Sequence, residues 1–124
     1  MLKVLLVEWI MTAFFVVFVL QIVKQNGSMH MPLNGLAIGF ALMNCIQIAS
    51  GISGGAINPA VGVVQTVFQK LFNHHVYPNA EATSLQYAPL YLAGTTLGGI
   101  FGGIFSRVFV EPAIDMGAKA AGNQ

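Results

Sequence analysis

Hydrophobic positions in this chain gather into long runs separated by short polar stretches. Between Lys3 and Lys24 lies an apolar run of roughly 20 residues, interrupted only by Glu8 and a few neutral polar groups. At about 1.5 Å per helical residue it covers about 30 Å, the thickness of a hydrocarbon core. A secretory signal peptide is the competing reading. The run is longer than a typical h-region, however, and Gln21–Gly27 offers no small-residue cleavage site. The pattern predicts a spanning helix over about 2–24. Lys24–Pro32 (KQNGSMHMP) is polar, holds Gly27 and ends in proline, so it reads as a loop. A second apolar run, about 33–50, predicts another span, slightly short unless it ends in a protein-lined interior.

Gly51–Pro59 breaks the pattern. Glycines 51, 54 and 55, with Ser53, Asn58 and Pro59, interrupt the helix where composition still places the chain near membrane depth. Irregular backbone is tolerated there only when it is buried in protein or lines a cavity. The apolar run that follows, about 58–72, is too short to cross and suits a re-entrant half-helix. Asn73–Gln86 reads as an exposed loop. Tyr87–Val110 reads as a third span, with aromatic residues near its ends as in an interfacial belt. Residues 111–124 read as a short, polar, frayed tail. The expected architecture is an all-α membrane protein forming one domain over 1–124, with three transmembrane helices and one re-entrant half-helix. Three spans put the termini on opposite sides, with Lys24, Arg107 and Lys119 on one and Lys3 and Lys70 on the other. That split favours an outside N-terminus.

Composition agrees with lipid as the solvent: 56% of the 124 residues are hydrophobic and 7% charged, against roughly 25% charged in soluble domains. The net charge of +1 gives no electrostatic footprint for nucleic acid. Cys45, the single cysteine, excludes an internal disulfide and reads as a small packed residue. Met29-His30-Met31 and His74-His75 with Glu81 contain soft and borderline metal ligands, but neither shows a full ligand set or helical i, i+4 spacing. They read as solvated loop residues. No nucleophile–base pair, phosphate loop or paired carboxylates stand out, so neither an enzyme nor a cofactor site is expected.

The chemistry concentrates at Asn58-Pro59-Ala60. Proline suits the first helical position because its missing N–H would be unsatisfied there anyway. Asn58 then falls at the N-cap. The helix start carries roughly half a positive charge, which opposes cations while the Asn58 amide offers hydrogen bonds to a neutral solute. Gly54 and Gly55 allow close backbone approach. Glu8 is an acid inside a span, at roughly 2.5–3.5 kcal/mol on insertion scales, so it is expected to face protein rather than lipid; snorkelling to the interface is the alternative. Asn44 and Gln47 are candidates for pore lining or interhelical hydrogen bonds. Gly94, Gly98 and Gly102, with Gly99 and Gly103, form small-x-x-x-small ridges for helix packing, as do Gly35 and Gly39.

ISGGAINPAV resembles the signature loop of the aquaporin, or major intrinsic protein, family. GLAIGFALMNCIQIASG is similar to the helix that feeds that loop. PLYLAGTTLGGIFGGIFSRVF resembles the family's last helix, with Thr95 where proline is usual, and Glu8 and Thr12 match an E-x-x-x-T helix start. The resemblance runs from about Val7 to Phe109. It implies half of a fold whose two inverted halves form one pore between facing N-P-A half-helices, with the half-helix dipoles as the family's own cation and proton barrier. It further implies that Glu8 accepts hydrogen bonds from loop N–H groups. The first helix, the long loop and the glycine-rich closing helix resemble the C-terminal half, although NPAV is the N-terminal half's tetrapeptide. On that alignment Val61 replaces the constriction arginine and Ile46 takes another filter position, giving a wider, apolar filter. Expected partners are membrane lipid and a complementary half-channel chain or second copy, in a tetramer or larger complex. The expected function is a passive channel half for water or small uncharged solutes. The rival is a non-conducting accessory subunit of a larger membrane complex.

Overall fold

The computed structural model describes residues 1–25, 32–76 and 85–122. It contains α1 (Leu2–Gln25), α2 (Pro32–Ser50), α3 (Pro59–Val76), a 3₁₀ turn at Leu85–Tyr87, α4 (Ala88–Phe105), a π-helical turn at Ser106–Val110 and α5 (Glu111–Gly122). Among the described residues there is no strand. Leu2–Lys24, Leu33–Ser50 and Leu85–Ala121 are long and apolar enough to cross a membrane. Large side chains such as Phe14, Phe40, Leu97 and Ile104 are more than half exposed on the outside of the bundle. In water such a surface would aggregate; in hydrocarbon it is solvated. The chain is an integral multi-pass membrane protein.

Helices α1 and α4 run side by side in the same direction, joined by a row of glycines. A Cβ on Gly94 would lie 3.0 Å from the Leu5 carbonyl oxygen, one on Gly98 2.5 Å from that of Trp9, and one on Gly102 2.6 Å from that of Ala13. The row advances by four residues on both helices, so i±4 ridges of each fill grooves of the other. Without lipid-versus-protein hydrophobic gain, this close packing is what holds spans together. Further along, Gln21 Nε2 donates to Ser106 Oγ at 2.7 Å, and Lys24 pairs with Glu111 at 2.9 Å. Gly35, Gly39, Gly99 and Gly103 have the same spacing but nothing within 4 Å of a Cβ.

Two boundaries differ from those expected. Helix α3 runs to Val76 rather than stopping near 72. Nothing in Asn73-His74-His75 breaks a helix. His74 and His75 therefore belong to α3's last turn, whereas Met29-His30-Met31 and Glu81 lie outside the described residues. The polar tail is α5 rather than a frayed end. Backbone angles stay helical through Ser106 and Glu111, so α4, the π turn and α5 are one rod. A lysine near the rod's C-terminal end and the Lys24–Glu111 pair favour the helix. The 37 residues of Leu85–Ala121 extend about 55 Å, so the rod outruns a hydrocarbon core of about 30 Å.

Candidate functional site

The break between α2 and α3 is built around one buried carboxylate. Glu8, about two turns into α1, has no solvent exposure. Its Oε1 accepts from Ser53 Oγ at 2.6 Å and from the Ala56 N–H at 2.9 Å, and its Oε2 accepts from the Ile57 N–H at 2.8 Å. It turns inward instead of snorkelling. A carboxylate here answers a specific need, because a chain that leaves helical geometry at membrane depth strands its own N–H groups. Hydrogen bonds to a charged acceptor are worth about 1.5–3 kcal/mol each, and a buried donor left bare costs a comparable amount.

Three residues invert the backbone inside the break: Gly54 (φ +83°), Gly55 (φ +71°) and Ile57 (φ +53°). Gly55 has no room for a side chain either, since a Cβ would meet the Ile46 carbonyl oxygen at 2.9 Å. Ile57 is a β-branched residue in the left-handed region, a conformation that costs about 1–3 kcal/mol and persists only when its surroundings enforce it. Its N–H is held by Glu8, and its side chain is buried with Cys45 and Ala49 against Val7, Met11 and Phe15. Tyr91 braces the loop from α4: its hydroxyl donates to the Ser53 carbonyl, and Gly62 approaches its Cβ so closely that a methyl there would lie 2.5 Å away.

Asn58 follows, with Oδ1 accepting from the Ala60 N–H at 2.9 Å as the cap of α3. Asn58, Ala60 and Val61 are exposed on the chain's surface, and Pro59 is partly covered. Ile46 lies under the loop through its backbone, with a side chain 37% exposed beside the break. The structure thus gathers Glu8, Ile46, Gly54, Gly55, Asn58, Pro59, Ala60 and Val61 into one region. Gly94, Gly98 and Gly102 form the α1–α4 packing row instead. Asn44 donates to its own helix, at the Phe40 carbonyl, 2.8 Å away, and not across to a neighbour. An apolar groove of about 390 Å³, lined by residues including Trp9, Phe14, Phe101 and Phe105, involves no residue of the break. Among the described residues no three His, Cys, Asp or Glu side chains gather as a metal site.

Sequence reasoning placed Ser53 in the break without a role for its hydroxyl, and missed Ile57 and Tyr91. Tyr91 carried a signal, being a hydroxyl about one turn inside a span, but it was not singled out. Ile57 carried none.

A helix feeding a glycine break, a buried glutamate clamping that break and a proline-started half-helix capped by asparagine are now in place. A family model described as Major intrinsic protein matches residues 1–123. The chain belongs to the major intrinsic protein family. Membership places it with channel proteins and not with enzymes. Aquaglycerol porin AQY3 of Saccharomyces cerevisiae is 33% identical to this major intrinsic protein over 82 residues, 66% of this chain and 11% of that relative. The aligned part is therefore a small fraction of the relative's length. No solved structure matches this family member significantly.

Proposed function

We propose that this chain supplies one half of a passive path for water or small uncharged solutes, completed by a second half facing Asn58. The observation that carries this reading is the exposed, asparagine-capped start of α3, held open by buried Glu8. A positive helix end and an amide at one point disfavour cations while offering hydrogen bonds to neutral molecules. Val61 and Ile46, both partly exposed beside it, add apolar surface where a narrow water filter would need a fixed donor. That favours a solute with a carbon skeleton, and the name of the yeast relative makes glycerol the first to try.

Stopped-flow swelling of proteoliposomes in water and glycerol gradients tests the proposal. Wild type should exceed empty liposomes in both. Asn58→Asp keeps a good N-cap but places a full negative charge against roughly half a positive one, so it should lower glycerol flux and admit sodium. Flux no greater than in empty liposomes, from the chain alone or with any partner, overturns it. The same Val61 favours a second reading, a non-conducting accessory subunit. In that case the chain always co-purifies with unrelated membrane proteins, and Asn58→Asp changes nothing.

A further inference from the structure

We infer that the apolar groove between α1 and α4 holds one acyl chain of an anionic phospholipid whose phosphate sits on Lys3. The inference stands apart from the solute path, because no residue of the break lines this groove.

The groove follows from side-chain size. Ala13 is small and buried where Gly102 meets the α1 backbone, and the residues around it are large. Ile10, Phe14 and Val17 line the groove from α1, and Phe101 and Phe105 line it from α4. Trp9 packs against Phe101 with ring centroids 5.2 Å apart, and Phe105 stacks on Phe101 at 6.0 Å. Residues 9–17 lie in the middle of the span Leu2–Lys24, at hydrocarbon depth.

The walls select the occupant. Spans associate through small residues that let two backbones approach, and here Ile10, Phe14 and Phe101 stand about half exposed in the way. A slender, flexible chain enters where a helix cannot. An apolar cavity of about 150 Å³ takes a benzene ring, so a groove of about 390 Å³ has room for a length of acyl chain.

Charge selects the headgroup and the leaflet. Lys3, Ile10, Phe14 and Val17 follow one another at i, i+7, i+11 and i+14, which is one stripe of α1. Exposed Leu6 continues the apolar surface between Lys3 and Ile10. Phe14 lies about 16 Å from Lys3 along the helix, close to half of a hydrocarbon core of about 30 Å. A chain hanging from a phosphate at Lys3 therefore ends in the groove. Lys3 is exposed and makes no ion pair among the described residues, whereas Lys24, at the other end of the stripe, has Glu111 at 2.9 Å and Asp115 at 4.0 Å. An anionic headgroup is attracted at the first end and meets two carboxylates at the second.

Trp9 is the single tryptophan, so its fluorescence in proteoliposomes reports the groove. The test reconstitutes the chain in phosphatidylcholine with a small share of lipid brominated near its chain ends, either phosphatidylglycerol or phosphatidylcholine. Brominated phosphatidylglycerol should quench about fivefold more effectively, the preference expected of one lysine at a membrane surface. Lys3→Gln should remove that preference, and Lys24→Gln should keep it. Phe14→Ala/Phe105→Ala, which takes down both walls at exposed side chains, should weaken quenching by phosphatidylglycerol. Equal quenching by the two lipids means ordinary exchange of surrounding lipid and overturns the inference. So does a preference that survives in Lys3→Gln, or a Trp9 that neither lipid quenches, which would mean that protein covers the groove.

Discussion

The two sides of this half-fold treat the same residue types differently. Along the α1–α4 seam, glycines spaced by four are filled: Gly94, Gly98 and Gly102 rest on the α1 backbone. Along α2 and the entry to the break Gly35, Gly39, Gly51 and Gly54 have open space around them, and the filled glycines of this region are Gly55 and Gly62, which turn inward against Ile46 and Tyr91. Buried polar groups follow the same division. On the loop's inner side Glu8, Ser53 and Tyr91 satisfy one another, whereas Asn58 on the outer side is exposed and caps its own helix through Oδ1. One face is closely packed within the chain, although Thr12 Oγ1 and Gln21 Oε1 are buried there without a hydrogen bond among the described residues, and the other is open. A small-residue ridge therefore reports a capacity for close packing; only the fold says whether the partner is already present.

That contrast can be broken most severely at Glu8. Glu8→Ala leaves the Ala56 and Ile57 N–H groups without their acceptor and the Ser53 hydroxyl with only the Ala49 carbonyl at 3.3 Å. At about 1–3 kcal/mol for each buried group the loss is several kcal/mol. We expect a marked fall in thermal stability in detergent and abolished flux, with Glu8→Gln intermediate. Next comes the seam. Gly98→Ala forces a methyl to within 2.5 Å of the Trp9 carbonyl oxygen, at a cost of about 1–3 kcal/mol, while Gly99→Ala one residue on should be silent. A matched pair of thermal melts checks both. Tyr91→Phe removes the brace on the Ser53 carbonyl, costing about 1 kcal/mol, and should reduce flux more than its effect on the melt suggests because it loosens the break itself. The smallest effect is at the partly exposed Lys24–Glu111 pair. Glu111→Gln should cost at most about 1 kcal/mol, less at high salt, with flux unchanged.

The spans, the break and the asparagine cap were legible because each depends on local chemistry: run length, glycine and proline punctuation, and a side chain that bonds two residues ahead. Glu8 was legible because an acid in a hydrocarbon run demands a partner. Ile57 was not, since a β-branched residue gives no sign of left-handed backbone, and what holds it there comes from α1, some 49 positions earlier in the chain. Tyr91 was not singled out because sequence shows its depth along α4 but not which way its hydroxyl turns. The α5 helix was missed because its polar composition resembles a tail, and the Lys24 contact that anchors its start spans 87 positions.

The central claim is that the rim around Asn58 faces a protein-lined polar path and not lipid. A nitroxide at Val61→Cys, read by electron paramagnetic resonance in proteoliposomes against one at Leu97→Cys on the outer face, tests it most directly. The account predicts that Val61 is quenched by a water-soluble nickel chelate and shielded from oxygen, with Leu97 showing the opposite. Oxygen access at Val61 equal to that at Leu97 would mean lipid on both faces and would contradict the account.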